Sequence, residues 1–161
     1  MPTLQRTGKE ITEIYNRQVD TVYRICYSFM KNPTETEDLV QETFLRLMAS
    51  NVIFQSQEHE KAWLIVTASN LCKDSLKKWW RKQEPLEEYE KTLRQPPFEV
   101  NEVLDAVMKL PADQKTAVYM YYYEGYTTSE ISAYLKCPQA TVRSRLARAR
   151  KVLKQKLGGD F

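Results

Sequence analysis

The chain has 161 residues, enough for one moderate domain or two small ones, and its hydrophobic content of 42% is ordinary for a globular protein. Its net charge of +3 is too small to identify a partner, so the distribution of charge matters more than its sum. The chain shows neither a signal peptide nor an apolar run near the roughly 18 residues of a membrane span, so we expect a cytoplasmic protein.

No residue pattern indicates catalysis. The three cysteines, Cys26, Cys72 and Cys137, form no CxxC pair, and His59 is the sole histidine, which argues against a zinc site. The chain has only four glycines and no phosphate-binding glycine loop. We therefore expect no enzyme activity, no metal and no cofactor.

Three helices are predicted in the first 83 residues, and the first runs from about Lys9 to Lys31. It ends at Asn32-Pro33 because the residue before a proline is disfavoured in the helical region. The second helix reaches about Ala49 and begins at Thr34, which with Glu37 has the form of a capping box. Its expected core positions are Leu39, Val40, Phe44, Leu47 and Met48, and its expected exposed positions are Asp38, Gln41, Glu42 and Arg46.

The third helix is predicted from about Glu58 to Lys82 and changes character along its length. Its first half is apolar around Trp63, for which we favour core packing. Its second half mixes lysines with Trp79 and Trp80, and tryptophans among lysines can stack on unpaired bases while the cations follow phosphates. The alternative, in which a tryptophan caps the core and the lysines are merely solvated, stays open.

Composition changes abruptly at Glu84. The following residues are acidic and include three prolines, and the adjacent Pro96 and Pro97 cannot lie inside a regular helix. We interpret residues 84–99 as an acidic linker between a first domain over residues 9–83 and a second over residues 100–157.

The second domain is also predicted to be helical. A helix over Asn101–Leu110 is followed by one over residues 112–124, which Gly125 is suited to end. Thr127 or Thr128 then caps a short helix, residues 136–138 form a turn, and a longer helix begins near Gln139 or Ala140 and reaches Leu157. This order of elements predicts a helix-turn-helix.

The last helix carries the strongest functional signal. Val142, Leu146, Ala149 and Leu153 form one apolar stripe, so the basic side chains project from its other faces. Residues 136–156 contain eight Lys or Arg and no Asp or Glu. Such a helix in a helix-turn-helix suits the DNA major groove, although a solvated basic face is the simpler alternative.

Three segments together resemble a known family. The segment LPADQKTAVYMYYYEGYTTSEISAYLKCPQATVRSRLARARKVLKQKL resembles region 4 of an extracytoplasmic-function (ECF) sigma factor of bacterial RNA polymerase. TETEDLVQETFLRLM resembles its region 2.2, and AWLIVTASNLCKDSLKKWWRK resembles its regions 2.3 and 2.4. The resemblance implies an all-α fold of two small helical domains joined by an acidic linker, and it implies promoter-specific initiation of transcription.

The resemblance also implies site residues. Those for the −35 element are Arg143, Ser144, Arg145 and Arg148, and those for DNA phosphates are Thr128, Arg150 and Lys151. Those for the −10 element are Asn70, Lys73, Lys77 and Trp80, together with the loop from about Asn51 to Glu60. Those for core RNA polymerase are Asp38, Gln41, Glu42 and Phe44.

The partners implied are promoter DNA, the β′ clamp helices and β flap of core RNA polymerase, and an anti-sigma factor. The linker matches the segment that enters the polymerase cleft. Two positions depart from the family pattern: Val66 stands where many members have arginine, and Lys136 stands where such turns often have glycine.

Two other classes of function fit the residues alone. A stand-alone helix-turn-helix regulator would use residues 1–83 for dimerisation or sensing, and a protein-interaction adaptor would make the basic helix incidental. A requirement for core polymerase distinguishes the sigma factor from the regulator, and an interaction that is insensitive to salt would favour the adaptor.

Overall fold

The computed structural model describes residues 6–82 and 101–157, with the side chains of residues 6–78 and 101–155. These residues form seven α-helices and one π-helical turn, without a strand. The chain divides into two units, residues 1–93 and 94–161, and the predicted all-α fold of two helical units is confirmed. The predicted linker, residues 84–99, lies outside the described residues.

The first unit contains three helices, each of which packs against the other two. They are α1 (Gly8–Met30), α2 (Pro33–Ala49) and α3 (Gln57–Lys82). Their apolar faces form one core, which includes the buried side chains of Val22, Ile25, Phe29, Val40, Phe44, Leu47, Leu64 and Ile65. Cys26 and Cys72 are buried free thiols within this core.

The junction between α1 and α2 differs from the predicted capping box. Lys31 ends α1 in the left-handed region at φ 58°, and the Asn32 side-chain oxygen accepts hydrogen bonds from the Thr34 and Glu35 amides at 2.9 and 3.2 Å. The prediction of Thr34 as the cap was wrong because Pro33 fits the first helical position, where its missing N–H is not needed. The helix therefore begins one residue earlier.

A buried carboxylate joins α1 to the start of α3. The Arg17 guanidinium donates to both oxygens of Glu60 at 2.9 Å, and Gln18 donates to Oε1 at 2.9 Å. Burial alone raises the pKa of the Glu60 carboxyl, but the hydrogen bonds and positive charge of Arg17, with the Gln18 hydrogen bond, outweigh it and lower that pKa from 4.5. These contacts hold the first turn of α3 against α1.

The second unit contains α4 (Glu102–Met108), α5 (Ala112–Val118), a π-helical turn (Tyr119–Tyr123), α6 (Thr128–Leu135) and α7 (Gln139–Leu157). Helix α7 packs against α4, α5 and α6. The predicted helix over residues 112–124 thus contains a π-helical turn, and Gly125 ends it at φ +80°, as predicted. No helix in the described ranges is long and apolar enough to span a membrane.

Candidate nucleic-acid and partner-binding surfaces

Helix α7 buries one stripe and exposes the rest of its surface. Val142, Leu146, Ala149 and Leu153 are at most 1% exposed, which confirms the predicted apolar stripe. Arg143, Ser144 and Arg148 are exposed, and Arg145 is half-buried. Three guanidinium groups and a hydroxyl therefore lie on faces that the packing leaves available to a nucleic acid.

The turn before α7 holds the two helices of the helix-turn-helix in a fixed geometry. Lys136 adopts the left-handed region at φ 55°, and its amide donates to Ser132 O of α6, which also accepts from Cys137 N at 3.1 Å. The Ser132 hydroxyl donates to Cys137 O. Lysine thus takes the backbone conformation that glycine adopts at lower cost, and the departure noted at Lys136 does not disrupt the turn.

Helix α6 begins with a complete capping box. The Thr127 hydroxyl accepts from the Glu130 amide at 3.1 Å, and the Glu130 carboxylate accepts from the Thr127 amide at 3.0 Å. The cap is thus Thr127 of the two threonines considered. Thr128 is half-buried at the first helical position, where amide groups of a helix N-terminus favour an anion such as a phosphate.

Arg150 has a structural partner that the sequence did not reveal. Its Nε donates to the Tyr122 hydroxyl at 2.8 Å, and this hydrogen bond raises the pKa of the guanidinium despite partial burial. Tyr122 also meets the Tyr121 ring edge-on at 4.9 Å between centroids. Arg150 therefore ties α7 to the π-helical turn, while Lys151 beside it is exposed.

On α2, the residues predicted to bind a partner divide between surface and core. Asp38 and Gln41 are exposed, and Glu42 is half-exposed at 3.6 Å from the Arg46 guanidinium. Phe44 is only 6% exposed and packs on the Tyr15 ring at 4.9 Å between centroids. This burial confirms the predicted core position of Phe44, while its predicted contact with core polymerase stays a prediction.

Two apolar side chains on α2 are exposed instead. Leu45 is 55% exposed and Met48 is 51% exposed, although Met48 was predicted to be a core residue. Leu45 lies four residues after Gln41, and Met48 lies three residues after Leu45, which places all three along one face of the helix. The sequence could have indicated that Leu45 is exposed. Leu45 directly follows a core residue and lies four residues after Gln41, on the same face of the helix.

The third surface consists of the loop between α2 and α3 and one face of α3. Asn70 and Lys77 are exposed and Lys73 is half-buried, at spacings of three and four residues. The side chain of Trp80 lies outside the described residues. Because α3 begins at Gln57, the loop is shorter than the predicted 51–60, and Glu60 belongs to the buried contact with Arg17.

The loop ends on an aromatic contact. Phe54 meets the edges of His59 and Trp63, with ring centroids at 5.4 and 5.9 Å. Trp63 is half-buried, so it belongs to the periphery of the core. In the described part of the chain, no three His, Cys, Asp or Glu side chains are grouped so that they could hold a metal ion.

Comparisons with known proteins cover both units. The family model for Sigma-70 region 2 matches residues 14–82, and the model for Sigma-70, region 4 matches residues 101–153. The ECF RNA polymerase sigma factor EcfG of Rhodopseudomonas palustris (strain TIE-1) is 33% identical over 141 residues, covering 84% of this chain and 78% of that protein. SigM of Bacillus subtilis (strain 168), also an ECF RNA polymerase sigma factor, is 31% identical over 155 residues, covering 89% and 93%.

A solved structure has the same fold. The sigma factor RpoE of Bartonella quintana, crystallised with the anti-sigma factor NepR, aligns with a TM-score of 0.72. Its sequence is 21% identical, and the alignment covers 95% of this chain and 99% of that chain.

Proposed function

The chain belongs to the ECF family of RNA polymerase sigma factors, and from that membership we propose which surface carries each step of promoter recognition. The protein is a sigma factor that directs RNA polymerase to promoters. Sigma factors are regulatory proteins, and we propose that this one leaves all chemistry to the polymerase and works in the cytoplasm, where transcription takes place.

Helix α7 is the proposed reader of the −35 element, through Arg143, Ser144, Arg145 and Arg148. The observation that carries this proposal is the complete burial of its apolar stripe, which leaves the arginines on the outward faces. A guanidinium can donate two hydrogen bonds to O6 and N7 of guanine in the major groove.

Three further residues are proposed to bind DNA phosphates. Lys151 is exposed, and Thr128 lies at the first position of α6, where the helix N-terminus favours anions. Arg150 has its Nε occupied by Tyr122, so only its terminal nitrogens are available to a phosphate. These contacts would position α7 without reading base sequence.

The loop between α2 and α3, together with Asn70, Lys73, Lys77 and Trp80, is the proposed −10 surface. Lysines spaced along one face can follow the phosphates of a single strand, and aromatic side chains can stack on its bases. We propose that the strand displaced on melting lies along this face of α3.

Helix α2 is the proposed site for the β′ clamp helices of core polymerase. Asp38, Gln41 and Glu42 supply its polar part, and we add Leu45 and Met48, since exposed apolar side chains at the centre of an interface contribute most to affinity. Phe44 supports this surface from within by packing on Tyr15.

We further propose that residues 9–83 and 100–157 act as the two sigma domains, that residues 84–99 link them through the polymerase cleft, and that the second domain contacts the β flap. An anti-sigma factor is the proposed inhibitor, because a sigma factor of the same fold was crystallised with one. Two modest DNA contacts held by one polymerase would reinforce each other through effective concentration.

In vitro transcription with purified core enzyme on a promoter library tests the proposal. We expect selected promoters to show preferences at both −35 and −10, and no sequence-specific DNA binding without core enzyme. Specific binding to a promoter by the chain alone, at the affinity of the holoenzyme, would instead identify a stand-alone regulator.

A further inference from the structure

Arg6, which precedes α1, is bonded to the loop that follows α2. One terminal nitrogen of its guanidinium donates to Leu47 O at 3.4 Å, to Ser50 O at 3.2 Å and to the Ser50 hydroxyl at 3.4 Å. The other donates to Val52 O. The guanidinium carbon also lies 4.9 Å from the centre of the Phe54 ring. One side chain therefore contacts four residues of the loop and of the last turn of α2.

The contacts at Ser50 O and Val52 O satisfy backbone carbonyls of the loop, and the contact at Leu47 O adds to the bonds that this carbonyl accepts from Ser50. The last carbonyls of a helix and those of an irregular loop need donors from elsewhere. Arginine suits this task because its planar fork presents five N–H donors, whereas lysine has one compact ammonium group. The Ser50 amide adds a bond of 3.1 Å to Leu47 O, so this end of the loop is densely bonded.

The other end of the loop is held by α3. The Gln55 amide donates to Nδ1 of His59 at 3.2 Å, and the His59 amide donates to the Ser56 hydroxyl at 3.0 Å. Between these two anchored ends lie Asn51, which is exposed, and Ile53, which is 73% exposed. Ile53 is therefore exposed to solvent in a segment that is hydrogen-bonded on both sides.

We propose that Arg6 is a positioning residue for −10 recognition. It holds the loop in the conformation that presents Asn51 and Ile53 to the displaced DNA strand, and it does not contact DNA itself. This inference rests on the proposed assignment of the loop and α3 to the −10 element.

The surroundings of Arg6 favour positioning over a direct phosphate contact. Its donors face loop carbonyls, and the cleft of about 450 Å³ between α1 and the loop is also lined by Glu10 and Glu13. Arg17 also lines this cleft, where it is ion-paired with Glu60 at 2.9 Å. The carboxylates of Glu10 and Glu13 offset the charge of the Arg6 guanidinium towards an approaching phosphate.

The test measures binding of reconstituted holoenzyme to a fluorescent single-stranded DNA carrying the non-template −10 sequence. We expect Arg6→Ala to weaken binding roughly tenfold, since it removes several hydrogen bonds to a charged donor. Lys9→Ala is the matched control, because it removes the same charge from an exposed position three residues further on, and it should bind like the wild type. Arg6→Lys should remain weaker than the wild type, because an ammonium group cannot reproduce the planar fork.

Salt dependence separates positioning from direct contact. A lost phosphate contact would reduce the slope of log K against log salt by about 0.7 for single-stranded DNA, and that result would overturn the inference. An unchanged slope with a lower affinity supports it. Equal loss of affinity for core enzyme would show general unfolding and would also overturn it.

The loop itself supplies the remaining control. If Asn51→Ala, Ile53→Ala and Lys77→Ala all bind the −10 strand like the wild type, the proposed −10 surface is wrong. If those variants weaken binding and Arg6→Ala does not, the −10 surface stands and only the role of Arg6 is refuted.

Discussion

Arg150 and Tyr122 are 28 positions apart in the sequence and are joined by a hydrogen bond of 2.8 Å from Nε to the phenol oxygen. The bond ties the outer side of α7 to the π-helical turn, whose amides bond five residues back, as Glu124 N does to Tyr119 O. An arginine in a basic helix therefore serves the fold, and this distinguishes it from Arg148 two positions earlier.

The first prediction compares these two arginines. Arg150→Ala should lower the free energy of unfolding of the second unit by about 1 kcal/mol, since a half-buried charged donor and its packing are lost. Arg148→Ala should change stability by less than about 0.5 kcal/mol, as is usual for exposed sites. All three tryptophans lie before residue 81, so tryptophan fluorescence follows the first unit, and the part of the circular-dichroism transition that does not coincide with it follows the second.

For promoter binding, unlike stability, Arg148 should matter more than Arg150. Arg148→Ala should weaken holoenzyme binding to a matched −35 site by roughly 1–3 kcal/mol and should relax base preference at one position. Equal sequence preference in Arg148→Ala and the wild type would contradict the assignment of Arg148 as a reader of bases.

The second prediction concerns pH and the buried Glu60. The folded-state pKa of Glu60 is lowered, so its contribution to stability is complete above its unfolded value of 4.5 and is lost as the pH falls through the lower folded value. Glu60→Gln should lower the free energy of unfolding at pH 7 by about 2 kcal/mol, because Arg17 loses its charge partner while the amide keeps part of the hydrogen bonding.

Tryptophan fluorescence against urea, repeated from pH 7 to pH 3, measures this effect in the first unit. The difference between Glu60→Gln and the wild type should shrink below pH 4.5. Glu58→Gln, at an exposed position in the same helical turn, is the control and should stay near the wild type. A difference that is constant over the whole range would refute the role of the ionised carboxylate.

The third prediction concerns Lys136, which has a φ of 55° in the turn of the helix-turn-helix. The left-handed region costs a non-glycine residue about 1–2 kcal/mol, and glycine loses about 0.5–1 kcal/mol of backbone entropy. Lys136→Gly should therefore raise the midpoint of thermal unfolding of the second unit, by the equivalent of about 0.5–1 kcal/mol.

Lys109 provides the matched control for that change. It ends α4 with a φ of −93°, in the right-handed region, where glycine has no steric advantage. Lys109→Gly should therefore leave stability unchanged or lower it. If both glycine variants were stabilised equally, relief of strain at Lys136 could not be the cause.

The fourth prediction separates core from interface on α2. Phe44→Ala should lower the free energy of unfolding by about 3–5 kcal/mol, since it leaves a cavity against Tyr15. Leu45→Ala should leave stability within about 0.5 kcal/mol of the wild type while weakening capture of core polymerase, as should Gln41→Ala with Glu42→Ala. Undiminished capture by both would refute the proposed core-binding face.

Several features could be predicted because they follow from local spacing. The stripe Val142, Leu146, Ala149 and Leu153 was predicted and is buried, since a period near 3.6 residues places these positions on one face. The end of the helix at Gly125 was also predicted, since its φ of +80° suits glycine. By contrast, the local pattern at Thr34 and Glu37 fits a capping box, but it does not show that Asn32 and Pro33 fit the cap and the first helical position better.

Other features depended on contacts between residues far apart in the chain. Helical spacing placed both Phe44 and Met48 in the core, but only Phe44 is buried, because which part of an apolar face is covered depends on where α1 and α3 cross it. Similarly, the hydrogen bonds of Arg6 join residues more than 40 positions apart, and no local sequence pattern predicts them.

Residue order and short-range periodicity were enough to predict the helices, the apolar stripe of α7 and the family. The bonds of Arg150 to Tyr122, of Glu60 to Arg17 and of Arg6 to the loop became visible only in the packed helices. The packing of the helices decides which groups lie within hydrogen-bond distance of a charged side chain. An arginine is therefore available to DNA, or is bonded within the fold, according to its neighbours in that packing.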